Sequence, residues 1–215
     1  MAIRLLVAAL AAYVLGSTPT GLFWAWLFRR IDVREHGSGR TGGTNVWRNA
    51  GFLAALMTAI SDAIKGAAGI WVASAIGLPV WGLALAGTLA VVGHNYSVFL
   101  KFRGGAGTAT SIGAAAALWV TSLAILPATL VVVAALVGHA SVASISVALA
   151  LPVMFLMHGS VPAAVGFGVP TMALTLWALR PNIERLGRRA ERFLPVYKTK
   201  PPLIRLSDHP GAGTG

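Results

Sequence analysis

The chain has 215 residues, 56% of them hydrophobic and 11% charged, with a mean hydropathy of +0.75. Soluble domains carry roughly a quarter charged residues, so this composition excludes an ordinary soluble fold and points to a membrane protein. A formal net charge of +11 would also suit a nucleic-acid binder, but the basic residues fall between apolar runs in the positive-inside pattern, which sets nucleic acid aside.

The first apolar run, residues 5–28, is longer than a signal-peptide core and reads as an uncleaved span over about residues 3–28. It is interrupted by Gly16-Ser-Thr-Pro-Thr-Gly21. Proline breaks a helix, and a break facing lipid would leave backbone groups unsatisfied, so this segment is expected to face protein or a wet cleft. A packing kink filled by small residues is an equally open reading. Residues 29–48 form a polar loop with five arginines (29, 30, 34, 40 and 48) and only Asp32 and Glu35 as acids. Its heart is Gly37-Ser-Gly-Arg-Thr-Gly-Gly-Thr-Asn-Val-Trp-Arg48. Glycines allow close approach of backbone donors, hydroxyls and an amide add more, and guanidinium groups fork onto phosphate oxygens. The stretch therefore suits a phosphorylated small molecule at a membrane surface.

The 52 residues between Arg48 and Lys101 hold two spans that turn at Gly77-Leu-Pro79. Asp62 and Lys65, three apart, share a helix face in the first of these, where ionisable groups must face inward. The next polar cluster runs from Gly93 to Thr110 and carries Lys101 and Arg103. Residues 104–179 contain no Asp, Glu, Lys or Arg, whereas the segment beyond them carries eight basic residues. If all three basic regions lie on the cytoplasmic side, the charge-free stretch crosses an even number of times. Breaks at Pro127, Gly138-His139, Pro152 and 159–162 favour four short crossings over two long ones. The expected fold is an all-α polytopic membrane protein of about seven transmembrane helices, with five as the alternative, the N-terminus outside and the C-terminus cytoplasmic. Residues 1–200 form one domain, whose tail starts as a basic helix at the headgroup level, and residues 201–215 are expected to be a disordered tail.

Several common site patterns are excluded. Gly37-Ser-Gly39-Arg-Thr-Gly42 matches the dinucleotide fingerprint formally but has no strand before it. Gly104-Gly-Ala-Gly107 lacks the Lys-Ser/Thr of a phosphate-binding P-loop. None of the five histidines opens an HxxxxD pattern, and the absence of Cys rules out disulfides, thiolate chemistry and His-Cys metal frameworks. Asp62 is the only aspartate inside a span, which argues against a Ser-His-Asp triad.

Six segments in order resemble the bacterial acyl-phosphate:glycerol-3-phosphate acyltransferases, the PlsY family. They are Gly16-Ser17…Pro19…Gly21; Gly37-Ser-Gly39…Gly42…Thr44-Asn45…Arg48; Asp62-Ala-Ile-Lys65-Gly66; Gly93-His94…Ser97-Val-Phe-Leu-Lys101-Phe102…Gly104-Gly105…Gly107; Ser141-Val-Ala-Ser144; and Asn182-Ile183…Arg185-Leu186…Glu191. The resemblance implies transfer of an acyl group from acyl-phosphate to the 1-hydroxyl of glycerol 3-phosphate, giving lysophosphatidic acid and phosphate, with no cofactor or metal. It implies a multi-pass protein of the bacterial cell membrane, among lipid, with its site facing the cytoplasm. By the same match, Ser38, Asn45 and Arg48 serve the glycerol-phosphate side, and Ser144 and Asn182 orient the attacking hydroxyl and the phosphate. Gly104, Gly105 and Gly107 form the acyl-phosphate cradle, with Lys101 and Arg103 near it. Thr44, Arg40 and Glu191 are further substrate-binding candidates, and His94 either orders the second loop or touches substrate. Asp62 and Lys65 belong to the scaffold.

Departures from the family pattern accompany these matches. Ala106 stands at a lysine position, Leu179 at a histidine, Arg40 at an asparagine, Gly43 at an alanine and Gly138 at a basic residue. Arg40 or Arg103 is expected to restore the missing positive charge. The alternatives are a degenerate member that binds lipid or a phosphorylated metabolite without catalysis, and a small membrane transporter.

Overall fold

The computed structural model describes residues 1–197 and 202–204, and every regular element among these is helical. α1 (Ala2–Ser17) and α2 (Thr20–Arg29) together make the first long apolar unit. A short amphipathic α3 (Gly43–Ala50) leads into α4 (Phe52–Ala75), and α5 (Val80–Asn95) returns, extended by a 3₁₀ turn to Leu100. Then come α6 (Thr108–Leu118), α7 (Ser122–Val137), α8 (Ala140–Met157), α9 (Val161–Ala178), which contains a π turn, and α10 (Arg180–Gly187).

Five units are long and apolar enough to cross a membrane: Ala2–Arg29, Phe52–Ala75, Val80–Leu100, Ala140–Met157 and Val161–Ala178. That is the lower of the two expected counts. Helices α6 and α7, reckoned among seven spans, have only 11 and 16 residues. At about 1.5 Å per residue, α6 covers roughly half of a hydrocarbon core of about 30 Å. Its far end is fixed by Trp119, whose ring stacks on His158 at the end of α8 with centroids 4.0 Å apart.

Small residues let the helices pack backbone to backbone. A Cβ placed on Gly16 would overlap the Ala90 carbonyl, and one on Gly93 the Tyr13 carbonyl, so α1 and α5 touch through their main chains. Gly66 meets the Thr110 carbonyl and Gly113 the Ala63 carbonyl, which joins α4 to α6 in the same way. This is how helices associate where lipid removes the hydrophobic incentive between them. Large side chains such as Leu6, Leu10, Val131 and Met157 point outward instead.

The break between α1 and α2 faces protein. Ser97 Oγ donates to the Ser17 carbonyl at 2.5 Å, and Lys65 Nζ donates to the Thr18 carbonyl at 2.9 Å. Asp62 Oδ1 accepts from Thr20 Oγ1 at 2.5 Å and lies 2.8 Å from Lys65 Nζ and 3.5 Å from His94 Nδ1. The buried pair is thus a clamp joining the broken helix to α4 and α5. Arg4 lies at one end of the bundle, beside Ala75 and Gly77. The first polar loop, the second polar loop and the segment after α9 meet at the other end.

The tail departs from the expected basic helix after Gly187. Beyond α10 it runs back over the end of α7, where Leu194 N–H donates to the Gly138 carbonyl at 2.8 Å and Ile204 N–H to the Leu136 carbonyl at 2.8 Å. The expected disorder of 201–215 falls largely outside the described residues.

Candidate active site

The first polar loop is wound around one amide. Asn45, 3% exposed, sends Nδ2 to the carbonyls of Val33, His36 and Arg40 at 3.0, 3.0 and 2.8 Å. Its Oδ1 accepts from the Ser38 N–H at 3.2 Å and from Asn49 Nδ2 at 3.1 Å. A Cβ on Gly37, whose φ is +62°, would overlap that oxygen. Asn45 therefore spends its hydrogen-bonding capacity on shaping the loop, which leaves the Ser38 side chain exposed. At the loop's start, three hydrogen bonds between the Arg34 guanidinium and the Asp32 carboxylate hold that carboxyl below the usual carboxylate range.

The second loop folds onto the end of α5. The Gly104 N–H donates to the Asn95 carbonyl at 3.0 Å and the Gly105 N–H to the His94 carbonyl at 3.2 Å. A Cβ at Gly104 would strike the His94 carbonyl and one at Gly105 the His94 Nε2, so only glycine fits this layer. His94 is buried between this loop and Asp62, which favours the loop-ordering role over substrate contact. Gly107, at φ +87°, opens α6 with no side-chain cap, so the helix presents unclaimed first-turn N–H groups beside the loop. Asn95 is 5% exposed, and neither atom of its amide has a hydrogen-bond partner among the described residues.

Between the loops lies a cleft of about 970 Å³. Six of the sequence candidates line it: Ser38, Arg40, Lys101, Arg103, Gly104 and Gly105. Asn95, Tyr96, Phe102, Trp177 and Arg180 line it too and were not anticipated. Asn95 sits inside the quoted second-loop motif, and Arg180 is the first charge after a long neutral stretch; those were the available signals. Arg40 reaches across the cleft, its Nη2 donating to the Ala178 carbonyl at the end of α9. Burial, followed by repulsion from Arg185, pulls the Arg40 guanidinium below its ordinary value, yet arginine stays cationic at neutral pH. No carboxylate pairs with it among the described residues, so the cleft holds a partly desolvated cation in want of an anion.

The remaining candidates gather in an adjoining cluster. Glu191, 2% exposed, accepts from Ser141 Oγ at 3.1 Å and Asn182 Nδ2 at 2.8 Å on one oxygen, and from Arg185 Nε at 2.8 Å on the other. Arg48 donates to the carbonyls of Arg192 and Phe193 at 3.2 and 3.4 Å. Burial lowers its pKa, and nearby Glu191 partly offsets this. Ser144 is half-buried one turn along α8 from Ser141, and Thr44 is half-buried in the first turn of α3. None of these lines the cleft; Arg48, Asn182 and Glu191 tie α3, α8, α10 and the tail beside it.

One departure gains a physical reason here, and two others prove to be neighbours. Gly138 caps α7 at φ +76°, and a Cβ there would lie 3.0 Å from Phe193 and from Pro202, so the tail occupies the space of a larger residue. Leu179 is buried next to the carbonyl that Arg40 bonds, which puts two departures side by side.

The glycerol-3-phosphate acyltransferase family profile matches residues 6–189. A glycerol-3-phosphate acyltransferase of Aromatoleum aromaticum is 36% identical over 90% of this chain and 98% of its own length. Relatives of the same name from Desulforudis audaxviator and Thermus thermophilus are each 38% identical, over 84% and 86% of this chain and 90% and 92% of their own lengths. Crystal structures of PlsY, an integral membrane glycerol 3-phosphate acyltransferase, in glycerol 3-phosphate and lysophosphatidic acid forms superpose with TM-scores of 0.83 and 0.80. These are 28% and 29% identical and cover 90% and 88% of this chain and 97% and 94% of theirs. On that agreement of profile, relatives and fold, the chain belongs to the glycerol-3-phosphate acyltransferase (PlsY) family of integral membrane proteins.

Proposed function

We propose that the protein transfers an acyl group from acyl-phosphate to the 1-hydroxyl of glycerol 3-phosphate, forming lysophosphatidic acid and inorganic phosphate. The observation that carries this reading is the single cleft joining Arg40, Arg103 and Arg180 to Gly104 and Gly105, a few residues before the uncapped start of α6. Acyl-phosphate is a mixed anhydride with a good leaving group, so the protein must chiefly position two phosphorylated partners and neutralise charge. The hydroxyl oxygen bonds to the acyl carbon, the bond from the acyl carbon to the bridging oxygen breaks, phosphate leaves with that oxygen and the electron pair, and the hydroxyl proton passes to solution at the open cleft.

Ser38, Arg40 and Arg180 hold glycerol 3-phosphate in this reading. Gly104, Gly105 and Gly107, with Asn95 and the α6 N-terminus, receive the donor phosphate, while Lys101 and Arg103 attract both partners to the rim. Arg48, Asn182, Ser144, Thr44, Asn45 and Glu191 support that arrangement from beside it. The cleft faces the cytoplasm of a bacterial cell, the chain crosses an odd number of times, and the N-terminus is outside. Supporting this orientation, the arginines from Arg29 to Arg48, Lys101, Arg103 and those from Arg180 to Arg192 lie at the cleft end, against Arg4 at the other among the described residues.

The decisive assay supplies purified protein with palmitoyl-phosphate and labelled glycerol 3-phosphate, with palmitoyl-CoA in parallel. Lysophosphatidic acid is expected from the phosphate donor alone; product from the CoA donor alone would refute the assignment. Because the chain has no Cys, single cysteines at Glu35 and Gly77 report sidedness cleanly. Labelling of intact cells at position 77 and not at 35 is expected, and the reverse overturns the orientation.

A further inference from the structure

Three titratable groups at the heart of the bundle have no part in the transfer described above. Asp62, Lys65 and His94 are 2%, 8% and 5% exposed, and they sit inside two of the apolar units, Phe52–Ala75 and Val80–Leu100. Burying two ions costs desolvation that their attraction often fails to repay, and apolar side chains of similar volume would fasten the helices as well. Ionisable groups kept at such depth mark a working part of a membrane protein. Their contacts lead to the cleft.

Asp62 Oδ1 is the hub: Thr20 Oγ1 donates to it at 2.5 Å, Lys65 Nζ lies 2.8 Å away and His94 Nδ1 3.5 Å away. Lys65 Nζ also donates to the Thr18 carbonyl at 2.9 Å, so the carboxylate is fixed from the first span and from its own helix. A carboxylate facing one imidazole nitrogen sets the ring's orientation. The other edge of the ring backs the cleft wall. A Cβ on Gly105 would overlap His94 Nε2 and crowd Cε1 and Cδ2, so the ring stands directly behind a glycine that lines the cleft. The Gly105 N–H donates to the His94 carbonyl at 3.2 Å, which holds the glycine against the ring. The imidazole is thus a spacer one ring thick between the buried carboxylate and the glycine layer.

We propose that Asp62 is a positioning residue for the acyl donor. It holds the His94 ring against Gly105, and the ring sets how far the glycine layer stands into the cleft. This rests on the acyl-phosphate reading above and carries its machinery from the cleft wall into the apolar helices. Interiors packed like crystals transmit a displacement, so a ring that tilts takes the layer with it. The acceptor side is spared. Among the described residues the hydrogen bonds of Arg40 and Arg180 run to the carbonyls of Ala178 and Trp177, away from the cluster. Loss of the Asp62 charge therefore falls on the donor alone.

The test measures KM for palmitoyl-phosphate and for glycerol 3-phosphate, with Tm beside them, in the wild type, Asp62→Asn, His94→Asn and the double variant. Asp62→Asn keeps the volume and removes the charge; His94→Asn keeps a nitrogen towards Asp62 and removes the ring edge behind Gly105. Each is expected to raise the palmitoyl-phosphate KM about tenfold and to leave the glycerol 3-phosphate KM within about twofold. The double variant should be no worse than the worse single, because the two residues act through one another. A lower Tm with both KM values unchanged, or equal effects on the two substrates, overturns the proposal. If Asp62→Asn fails to fold, Thr20→Val decides, since it removes one hydrogen bond to the carboxylate and leaves the ion pair. A donor KM that does not then rise by about threefold refutes the assignment. A second arm needs no turnover and uses the β-ketophosphonate of palmitate, whose carbon bridge cannot be cleaved. It should bind Asp62→Asn about tenfold more weakly than the wild type, and equal affinity overturns the positioning role. Should the wild type neither bind this analogue nor use palmitoyl-phosphate, the acyl-phosphate reading fails and the positioning role falls with it. A working wild type with an indifferent Asp62→Asn sinks the positioning role alone.

Discussion

Replacing Arg40 with asparagine tests the cleft most directly. The guanidinium bridges the cleft from the first loop to the Ala178 carbonyl. Asparagine removes that bridge and the charge together and is too short to restore either. A hydrogen bond to a charged group is worth about 1.5–3 kcal/mol, which corresponds to roughly a ten- to hundredfold loss in kcat/KM. Stability should suffer less, because the lost contact is to one backbone carbonyl in a partly wet cleft, worth about 1 kcal/mol. Initial rates are measured at fixed ionic strength with each substrate varied in turn, and thermal unfolding in the same detergent runs beside them. Arg40→Lys is the control: it keeps the charge but loses the fork, so it should fall between wild type and asparagine. If Arg40→Asn stays within twofold of wild type in kcat/KM for both substrates, Arg40 has no part in phosphate recognition and the compensation argument collapses.

Glu191→Gln leaves Ser141 and Asn182 an acceptor but deprives Arg185 of its counter-charge; because Arg185 is partly exposed, the loss should be about 1–3 kcal/mol, read as a lower Tm. An unchanged Tm would remove Glu191 as the tie for this corner. Gly105→Ala drives a methyl into the His94 ring, so the second loop must shift, and both Tm and turnover should fall, by about 1–3 kcal/mol in stability. Full activity in that variant would show that the glycine layer is not tightly packed. Ala106→Lys adds a cation beside the start of α6 and is expected to lower the KM for acyl-phosphate up to about tenfold with little change in kcat. If the wild type is inactive and turnover first emerges when this change is combined with Leu179→His, the protein is a degenerate member.

Sequence order was enough to bring Ser38, Arg40, Lys101, Arg103, Gly104 and Gly105 to one place, because positive loops separated by apolar runs return to the same side. It was not enough to tell an inward-facing polar residue from an outward-facing one. Asn45, His94 and Glu191 have the chemistry of ligand contacts, yet each is consumed by neighbours that lie four to fifty residues away in the chain. Trp177 and Arg180 escaped notice for the opposite reason: at the edge of a span, Trp and Arg look like ordinary interfacial anchors, and only the position of the cleft gives them a second role. The length of α6 was illegible because its start depends on a left-handed Gly107 wedged against Asn95 and Val91, which no periodicity encodes.

That short helix also bears on the missing lysine at position 106. Gly66 and Gly113 let α4 and α6 meet main chain to main chain, which draws the start of α6 in beneath the loops. What arrives at the glycine layer is therefore a helix N-terminus, with oriented N–H groups and a partial positive charge, together with the unpartnered amide of Asn95. Backbone donors of this kind favour an anion without any side chain. In the proposed acyl-phosphate reading, a lysine there would add to donors the backbone already supplies, so alanine would weaken the site by one contact and leave its foundation in place. Lengthening the contact between α4 and α6, as Gly113→Ala must because its Cβ would enter the Ala63 carbonyl, should then damage acyl-phosphate binding from a distance. A rise in acyl-phosphate KM with an unchanged glycerol 3-phosphate KM is the expected signature, and equal effects on the two substrates would refute the argument that the helix start is the donor's cradle.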